Sequence, residues 1–120
     1  MITTEAILNN VEFGVPSGNY DGSSQDWYSV PVQAANYYRG RGGLQTLTFQ
    51  VQDFVGRIQV EATLDTVSET AHWFEIYAYG DLEIPITDYH PETLTGNFVW
   101  IRLNILGFDS GTISLATISY

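Results

Sequence analysis

Residues 42–79, GGLQTLTFQVQDFVGRIQVEATLDTVSETAHWFEIYAY, decide the fold class of this chain. Two runs within it alternate apolar and polar side chains, the apolar ones being Leu47, Phe49 and Val51, then Ile58, Val60, Ala62 and Leu64. A period of two is typical of strands that bury one face, whereas a helix needs apolar residues three and four positions apart. Asp53–Gly56 separates the runs, so we interpret them as a β-hairpin folded at that turn.

Strand-like segments continue on both sides of this stretch. Residues 27–33 are aromatic and β-branched around Pro31, which cannot donate to a ladder and therefore indicates an edge strand. Residues 73–79, 97–107 and 111–120 also alternate, the last with a bulge near residues 116–117. Residues 1–13 fit a short strand or a single helical turn, and we favour the strand.

Turn-forming residues separate the strands. Loops are predicted at residues 14–26, 36–43 and 65–71, and over most of residues 80–96, where two prolines and several acids lie. We therefore predict one domain over residues 1–120 with an all-β fold, an antiparallel β-sandwich or jelly roll of about seven or eight strands. The predicted core comprises Leu47, Phe49, Val51, Ile58, Val60, Phe74, Ile76, Val99, Ile101 and Leu103.

The charge balance excludes several classes of partner. Aspartate and glutamate total 14 against four basic residues, all arginine, which gives a net charge of -10. Nucleic acids and anionic membrane surfaces both require clustered positive charge, so neither is an expected partner. The N-terminus has no basic start followed by an apolar run, and no segment is apolar for long enough to cross a bilayer. We therefore expect synthesis in a cytoplasm and no membrane insertion.

Metal and cofactor sites are not predicted. Cysteine is absent, which removes disulfides and thiolate ligands. His72 and His90 would need each other or carboxylates such as Asp88 and Glu92 as co-ligands, and solvated loop histidines explain them better. The Asp21–Asp26 loop offers oxygen ligands suited to calcium but lacks the EF-hand spacing, and Asx turns account for the same residues.

Catalysis is not predicted either. Glu61 and Glu75 lie on the non-core faces of neighbouring strands and, with Glu83, are the candidates for the two carboxyls of a glycoside hydrolase. Acids on surface strands normally serve solubility and edge protection, so we expect a protein that is not an enzyme.

Aromatic residues and arginines supply the candidate binding site. Several aromatic side chains fall on faces opposite the aliphatic core, and exposed Trp, Tyr and Arg are enriched at interface hot spots. Aromatic rings also stack on sugars. The predicted partner-binding residues are Trp27, Tyr37, Tyr38, Arg39, Arg41 and Trp73. The alternative is that loops cover these rings, or that the facing of a strand is shifted by one residue.

Five segments in order resemble a known class of protein. They are SVPVQAANYYRGRGGLQTLTFQV (29–51), FVGRIQVEATL (54–64), HWFEIYAY (72–79), GNFVWIRLNILG (96–107) and GTISLATISY (111–120). This order resembles small β-sandwich virion structural proteins and fibre-associated modules of tailed phages, particularly the T4-like phages of cyanobacteria and other marine bacteria. The resemblance covers roughly residues 29–120, and its landmarks are the glycine-bounded hairpin and the terminal strand.

The resemblance implies a location in the virus particle, and it implies no catalytic residues. A protein of this kind would be located in the virion, as a capsid decoration, neck, baseplate or fibre component. Its partners would be other virion proteins and further copies of itself in a homo-oligomer. The alternative function is a carbohydrate-binding module that recognises a host surface glycan through Trp27, Tyr37, Tyr38 or Trp73.

Overall fold

The computed structural model describes residues 3–35, 40 and 42–120, and these residues form antiparallel β-structure with no α-helix. The strands are β1 (Thr4–Glu12), β2 (Trp27–Tyr28), β3 (Val32–Gln33), β4 (Leu44–Thr63), β5 (Phe74–Thr95) and β6 (Trp100–Ser119), with a short 3-10 helix at Ser68–Thr70 between β4 and β5. Every strand pairing is antiparallel. The all-β antiparallel prediction is therefore confirmed, with six strands in place of the expected seven or eight.

The sheet is a single path, β1-β6-β4-β5, that folds over itself. Strands β4, β5 and β6 each bend near the middle, so each contributes to two layers. The first layer contains β1 with residues 44–52, 87–95 and 112–119, and the second contains β2 and β3 with residues 57–63, 74–81 and 100–106. The two layers enclose one core, as in a sandwich.

Glycine allows the three long strands to bend at the same place. Gly80 in β5 has φ 110°, and an added Cβ atom there would overlap the carbonyl oxygen of Gly56 in β4. Gly111 in β6 has φ 84°, and its Cβ atom would overlap the carbonyl of Asp53. The strands therefore cross too closely at this corner for any side chain.

The interior is aliphatic in the middle and aromatic near the corner. Eight of the ten predicted core residues are buried: Leu47, Phe49, Val51, Ile58, Val60, Val99, Ile101 and Leu103. The aromatic part comprises Tyr20, Trp27, Phe54 and Phe108, whose ring centroids lie 5.1 to 6.3 Å apart in the contacting pairs. Since Tyr20 is buried, residues 14–26 are not wholly the exposed loop that their composition predicts.

The predicted hairpin at residues 53–56 is wrong. The runs before and after it do not pair with each other, and both pair with β5 on one side and β6 on the other. Asp53 has φ 50°, and register shifts occur at residues 51–57, so the segment is a bulged corner within one strand. A bulge interrupts the alternation as a turn does, which explains the error.

The predicted loop at residues 80–96 is also wrong, because β5 continues to Thr95. Pro85 and Pro91 are compatible with a strand here since β5 pairs with β4 alone among the named strands, which leaves one side of its backbone unpaired.

Facing in β5 is the reverse of the prediction from Tyr77 onward. Val60 pairs with Tyr77 but Glu61 pairs with Glu75, so Ile76 is an extra residue in a bulge. Tyr77 and Tyr79 consequently share the core side with Val60 and Ile58. Of the two predicted core residues in this segment, Phe74 is 42% exposed, and Ile76 is half-buried and packs against the core.

The two ends of the chain lie side by side. Strand β1 pairs with the last part of β6, Thr4 opposite Ser119, and the Thr3 amide donates to the Tyr120 carbonyl at 2.7 Å. The predicted strand within residues 1–13 is therefore confirmed, and it closes the first layer as an edge strand.

Candidate functional site

The structure separates the predicted binding residues. Tyr37, Tyr38, Arg39 and Arg41 lie outside the described residues. Trp27 is only 7% exposed and packs on Tyr20 in the core, which corrects the expectation that its ring faces outward. Trp73, just before β5, is half-buried and contacts Arg102 on the outer face of the second layer.

That contact is part of a four-residue group, which we term the arginine face: Tyr28, Glu61, Trp73 and Arg102. The Arg102 guanidinium carbon lies 4.0 Å from the Tyr28 ring centroid and 4.3 Å from that of Trp73. Arg102 Nε donates to Glu61 Oε1 at 2.7 Å. Neighbouring strands supply each member, since Glu61 of β4 pairs with Arg102 of β6, and Tyr28 of β2 pairs with Asn104 two residues along β6.

The arginine face is ordered before any partner arrives. The Arg102 and Glu61 side chains are 20% and 14% exposed, so their charge-assisted hydrogen bond is shielded from water. Tyr28 is 47% exposed. The contacts of Arg102 join β2, β4, β6 and the segment before β5, and no local pattern in the sequence predicts them.

Glu61 and Glu75 are directly opposite each other in the β4–β5 ladder. The prediction that these two acids are neighbours is confirmed. Glu61 is engaged by Arg102, whereas Glu75 is exposed.

The outer face of the first layer has different chemistry, and we term it the threonine face. Outward positions on the three long strands carry hydroxyl, amide or apolar side chains and no charge: Thr46, Thr48, Gln50 and Gln52 on β4, Thr87, Tyr89, Pro91, Thr93 and Thr95 on β5, and Thr112, Leu115, Thr117 and Ser119 on β6. Hydroxyls pair across strands, Thr46 with Thr93 at 2.9 Å and Thr48 with Thr117. Glu12 of β1 borders this face beside Thr112.

A polar cluster closes the open edge between the layers along β5. His90 stacks on Tyr79 at 5.0 Å, and His90 Nε2 lies 2.9 Å from the Tyr77 hydroxyl and 3.4 Å from Glu92 Oε1. Tyr79 donates to Asp88 Oδ2 at 3.0 Å. Both tyrosine rings also stack on Phe49, so the cluster covers the core at this edge.

Burial governs the ionisation of these tyrosines. Burial, reinforced by the bond to Asp88, raises the pKa of Tyr79 well above its ordinary value. Burial is the main cause that raises the pKa of Tyr77, and the nearby charge of Glu92 raises it further. Both hydroxyls therefore stay protonated near neutral pH, and that of Tyr79 donates to Asp88.

The other metal candidates have local explanations. Asp21 accepts hydrogen bonds from the backbone amides and hydroxyls of Ser23 and Ser24, and the two amides are the main cause of its pKa falling to about 2. His72 donates its backbone amide to Asp65 at 2.7 Å, and this bond lowers the pKa of Asp65. Across the part of the chain that the structure describes, no three histidine or acidic side chains are grouped to hold a metal ion.

The β5 edge and the β2–β3 edge of the sheet are protected against strand addition. The Asp81 carboxylate accepts the backbone amides of Glu83 and Ile84, and that of Asp88 accepts the amide of Tyr89 at 2.8 Å. Pro85 and Pro91 lie within β5, and Pro31 separates β2 from β3. These two edges do not favour pairing with a strand of another chain.

Comparison with known proteins adds no relative: no family model matches the sequence, and no curated protein matches it. Among the described residues, no helix is long and apolar enough to cross a membrane.

Proposed function

We propose that the protein is a non-enzymatic structural component of a tailed-phage particle, located in the virion and acting by binding other virion proteins. The order of five sequence segments that resembles phage virion proteins supports the setting. The all-β fold, whose β5 and β2–β3 edges are protected, supports a module that contacts partners through side chains.

The arginine face is the observation that carries this proposal. It combines two aromatic rings with an arginine, the residue types that dominate interface hot spots. Because Arg102 is already held by Glu61, Tyr28 and Trp73, a partner that docks here need not order it, which lowers the entropic cost of association.

A non-catalytic role agrees with the state of the acids. Glu61, the more buried of the opposed pair, forms a charge-assisted bond with Arg102. A glycosidase needs two carboxyl groups that can both reach the substrate, and the Glu61 carboxylate is already bound to Arg102. Mixing the protein with a labelled polysaccharide should therefore release no product.

The first experiment concerns partners. Trp73→Ala combined with Tyr28→Ala removes both rings while leaving the Glu61–Arg102 pair, and we expect a folded protein with reduced self-association and reduced incorporation into particles. Sedimentation velocity measures self-association, and mass spectrometry of purified particles measures incorporation. Tyr89→Ala is the matched control, since Tyr89 is 61% exposed but lies on the threonine face. Wild-type assembly by the double variant would contradict the proposed role of the arginine face.

The loop at residues 36–43 is tested separately. Tyr38→Ala combined with Arg41→Ala removes one aromatic and one positive charge from a chain of net charge -10. A local positive spot can pair with an acidic surface of another copy, and head-to-tail pairing of this kind builds a ring if the rotation between copies closes. If this variant assembles normally and the arginine-face variant does not, the loop is ordinary surface.

A further inference from the structure

An open depression of ≈ 340 Å³ lies on the threonine face, and its lining differs from that of the arginine face. The lining residues are Gln50, Val51, Gln52, Thr87, Asp88, Tyr89 and Ser114. We term it the glutamine depression. Its volume falls within the range of sites that hold small ligands, roughly 300–1,000 Å³.

Strand register brings these side chains together. Gln50 pairs with Tyr89 across the β4–β5 ladder and with Leu115 across the β4–β6 ladder. Gln52 follows two residues later on the same side. The register shifts between Gln50 and Val51, which leaves Ser114 as an extra residue in β6. A bulge of this kind redirects a side chain, and here it places Ser114 in the lining.

The depression offers an aromatic ring and unused hydrogen-bonding groups. Tyr89 is 61% exposed. Within the described residues, the side-chain amides of Gln50 and Gln52 form no hydrogen bond, so each can donate and accept toward a ligand. The Thr87 hydroxyl accepts the Asp53 amide at 2.9 Å.

The charged side chains in and beside the depression are acidic, and both already take part in contacts within the protein. The Asp88 carboxylate accepts from the Tyr79 hydroxyl and the Tyr89 amide. Asp53 stands beside Thr87 at the rim, with its carboxylate 3.5 Å from the Thr87 hydroxyl. Among the residues that the structure describes, no cationic side chain lines the depression. An anionic ligand would therefore lose hydration without gaining a counter-charge.

We propose that the glutamine depression binds a neutral sugar unit of a glycan. A pyranose ring presents an apolar C–H face, which suits the exposed Tyr89 ring, and a rim of hydroxyls that each donate and accept. Side-chain amides match such hydroxyls because they also carry both donors and an acceptor. Nucleotides and acidic sugars have the wrong charge. This site uses different residues from the arginine face, so glycan binding and assembly can fail independently.

The test is a glycan array followed by NMR titration of the intact 15N-labelled protein. The array carries neutral oligosaccharides built from glucose, galactose, mannose and N-acetylglucosamine, together with sialylated and uronic-acid glycans. We expect a neutral glycan to bind and to shift the backbone amides of Gln50, Gln52, Tyr89 and Ser114. Shifts confined to residues around Arg102 would overturn the site, and a preference for acidic glycans would overturn the ligand class.

Variants separate stacking from hydrogen bonding. Tyr89→Ala should weaken binding of the selected glycan by about tenfold or more, while Tyr89→Phe keeps the ring and should retain most of the affinity. Gln50→Ala combined with Gln52→Ala should weaken binding to a similar extent. Ile84→Ala is the matched control, because Ile84 is 63% exposed on β5 but lies outside the depression. Wild-type affinity in both the Tyr89→Ala and the double glutamine variant, or no binding of any neutral glycan, would overturn the proposal.

Discussion

The threonine face and the arginine face both draw on β4 and β6, yet they carry different chemistry. The first is uncharged and hydroxyl-rich on β4, β5 and β6, and the second is centred on an ion pair between two aromatic rings. Both are outer faces over one core. The difference shows that a folded-over sheet can present two unrelated surfaces, because β4 changes its facing at the corner.

The change of facing is visible along β4. In the first layer its buried residues are odd-numbered, Leu47, Phe49 and Val51, and in the second they are even-numbered, Ile58, Val60 and Ala62. The bulged corner between them shifts the alternation by one position. Outward residues are shifted with it, so one strand supplies Thr48 to one face and Glu61 to the other.

The largest loss of stability is expected for a substitution in the core that the two faces share. Val60 is fully buried, and Val60→Asp would place an unpaired charge between the layers. We expect a loss of more than about 4 kcal/mol of unfolding free energy, measured by urea titration with circular dichroism. Gln59→Asp, one residue earlier on the outer face, should cost about 1 kcal/mol or less. A wild-type melting temperature for Val60→Asp would contradict the assigned register.

A smaller effect is expected at the corner that joins the two layers. Gly111→Ala combines a positive φ with overlap on the Asp53 carbonyl, so we expect a loss of about 2–4 kcal/mol. Gly14→Ala is the control, since Gly14 has φ 88° but no atom within 4 Å of an added Cβ. Its cost should be about 1–2 kcal/mol, from backbone strain alone. Equal losses in thermal or urea unfolding would mean that the strands do not meet closely at Gly111.

The next largest loss of stability is expected for a substitution confined to the arginine face. Glu61→Gln removes the charge that accepts from Arg102, and we expect a loss of about 1–2 kcal/mol, measured by urea unfolding. Glu75→Gln, directly across the ladder and exposed, should be close to neutral. If the two substitutions cost the same, the guanidinium is shared by both acids. Neither should alter glycan binding at the glutamine depression.

The smallest change in stability is expected for Asp21, in the loop before β2 and outside both faces. Hydrogen bonds from Ser23 and Ser24 lower the pKa of Asp21 from 3.8 to about 2. A depressed folded-state pKa contributes stability above the unfolded value, and this stability is lost as pH falls from about 4 to about 2. Asp21→Asn should therefore be slightly less stable than wild type at pH 6, with the difference disappearing near pH 2. An NMR titration of the Asp21 carboxyl with its midpoint near pH 4 would contradict the hydrogen bonds from Ser23 and Ser24.

Local alternation was enough to predict the fold class and most of the core. The period of two correctly assigned Leu47, Phe49, Ile58 and Val60, because their environment depends only on neighbours along one strand. Strand connectivity could not be predicted in this way. A turn and a bulged corner interrupt alternation equally, and only the pairing with distant β5 and β6 distinguishes them.

The candidate sites were harder to predict because they depend on contacts between distant strands. Trp27 is indistinguishable by type from Trp73, yet one ring is buried against Tyr20 and Phe108 and the other contacts Arg102. The bulge at Ile76 reversed the expected facing of Tyr77 and Tyr79. Gln50 and Tyr89 become neighbours only through a register that joins residues far apart in sequence.

The pairing of β1 with the end of β6 has a consequence for the order of events during translation. β1 leaves the ribosome before the other strands, but the residues of β6 that pair with it, 112–119, emerge after β2 to β5. A chain emerges during translation at about 5–20 residues per second. β1, with its Ile7, Leu8 and Val11 side chains, is therefore unpaired while β2 to β5 are synthesised, and the first layer is completed only after residues 112–119 clear the exit tunnel.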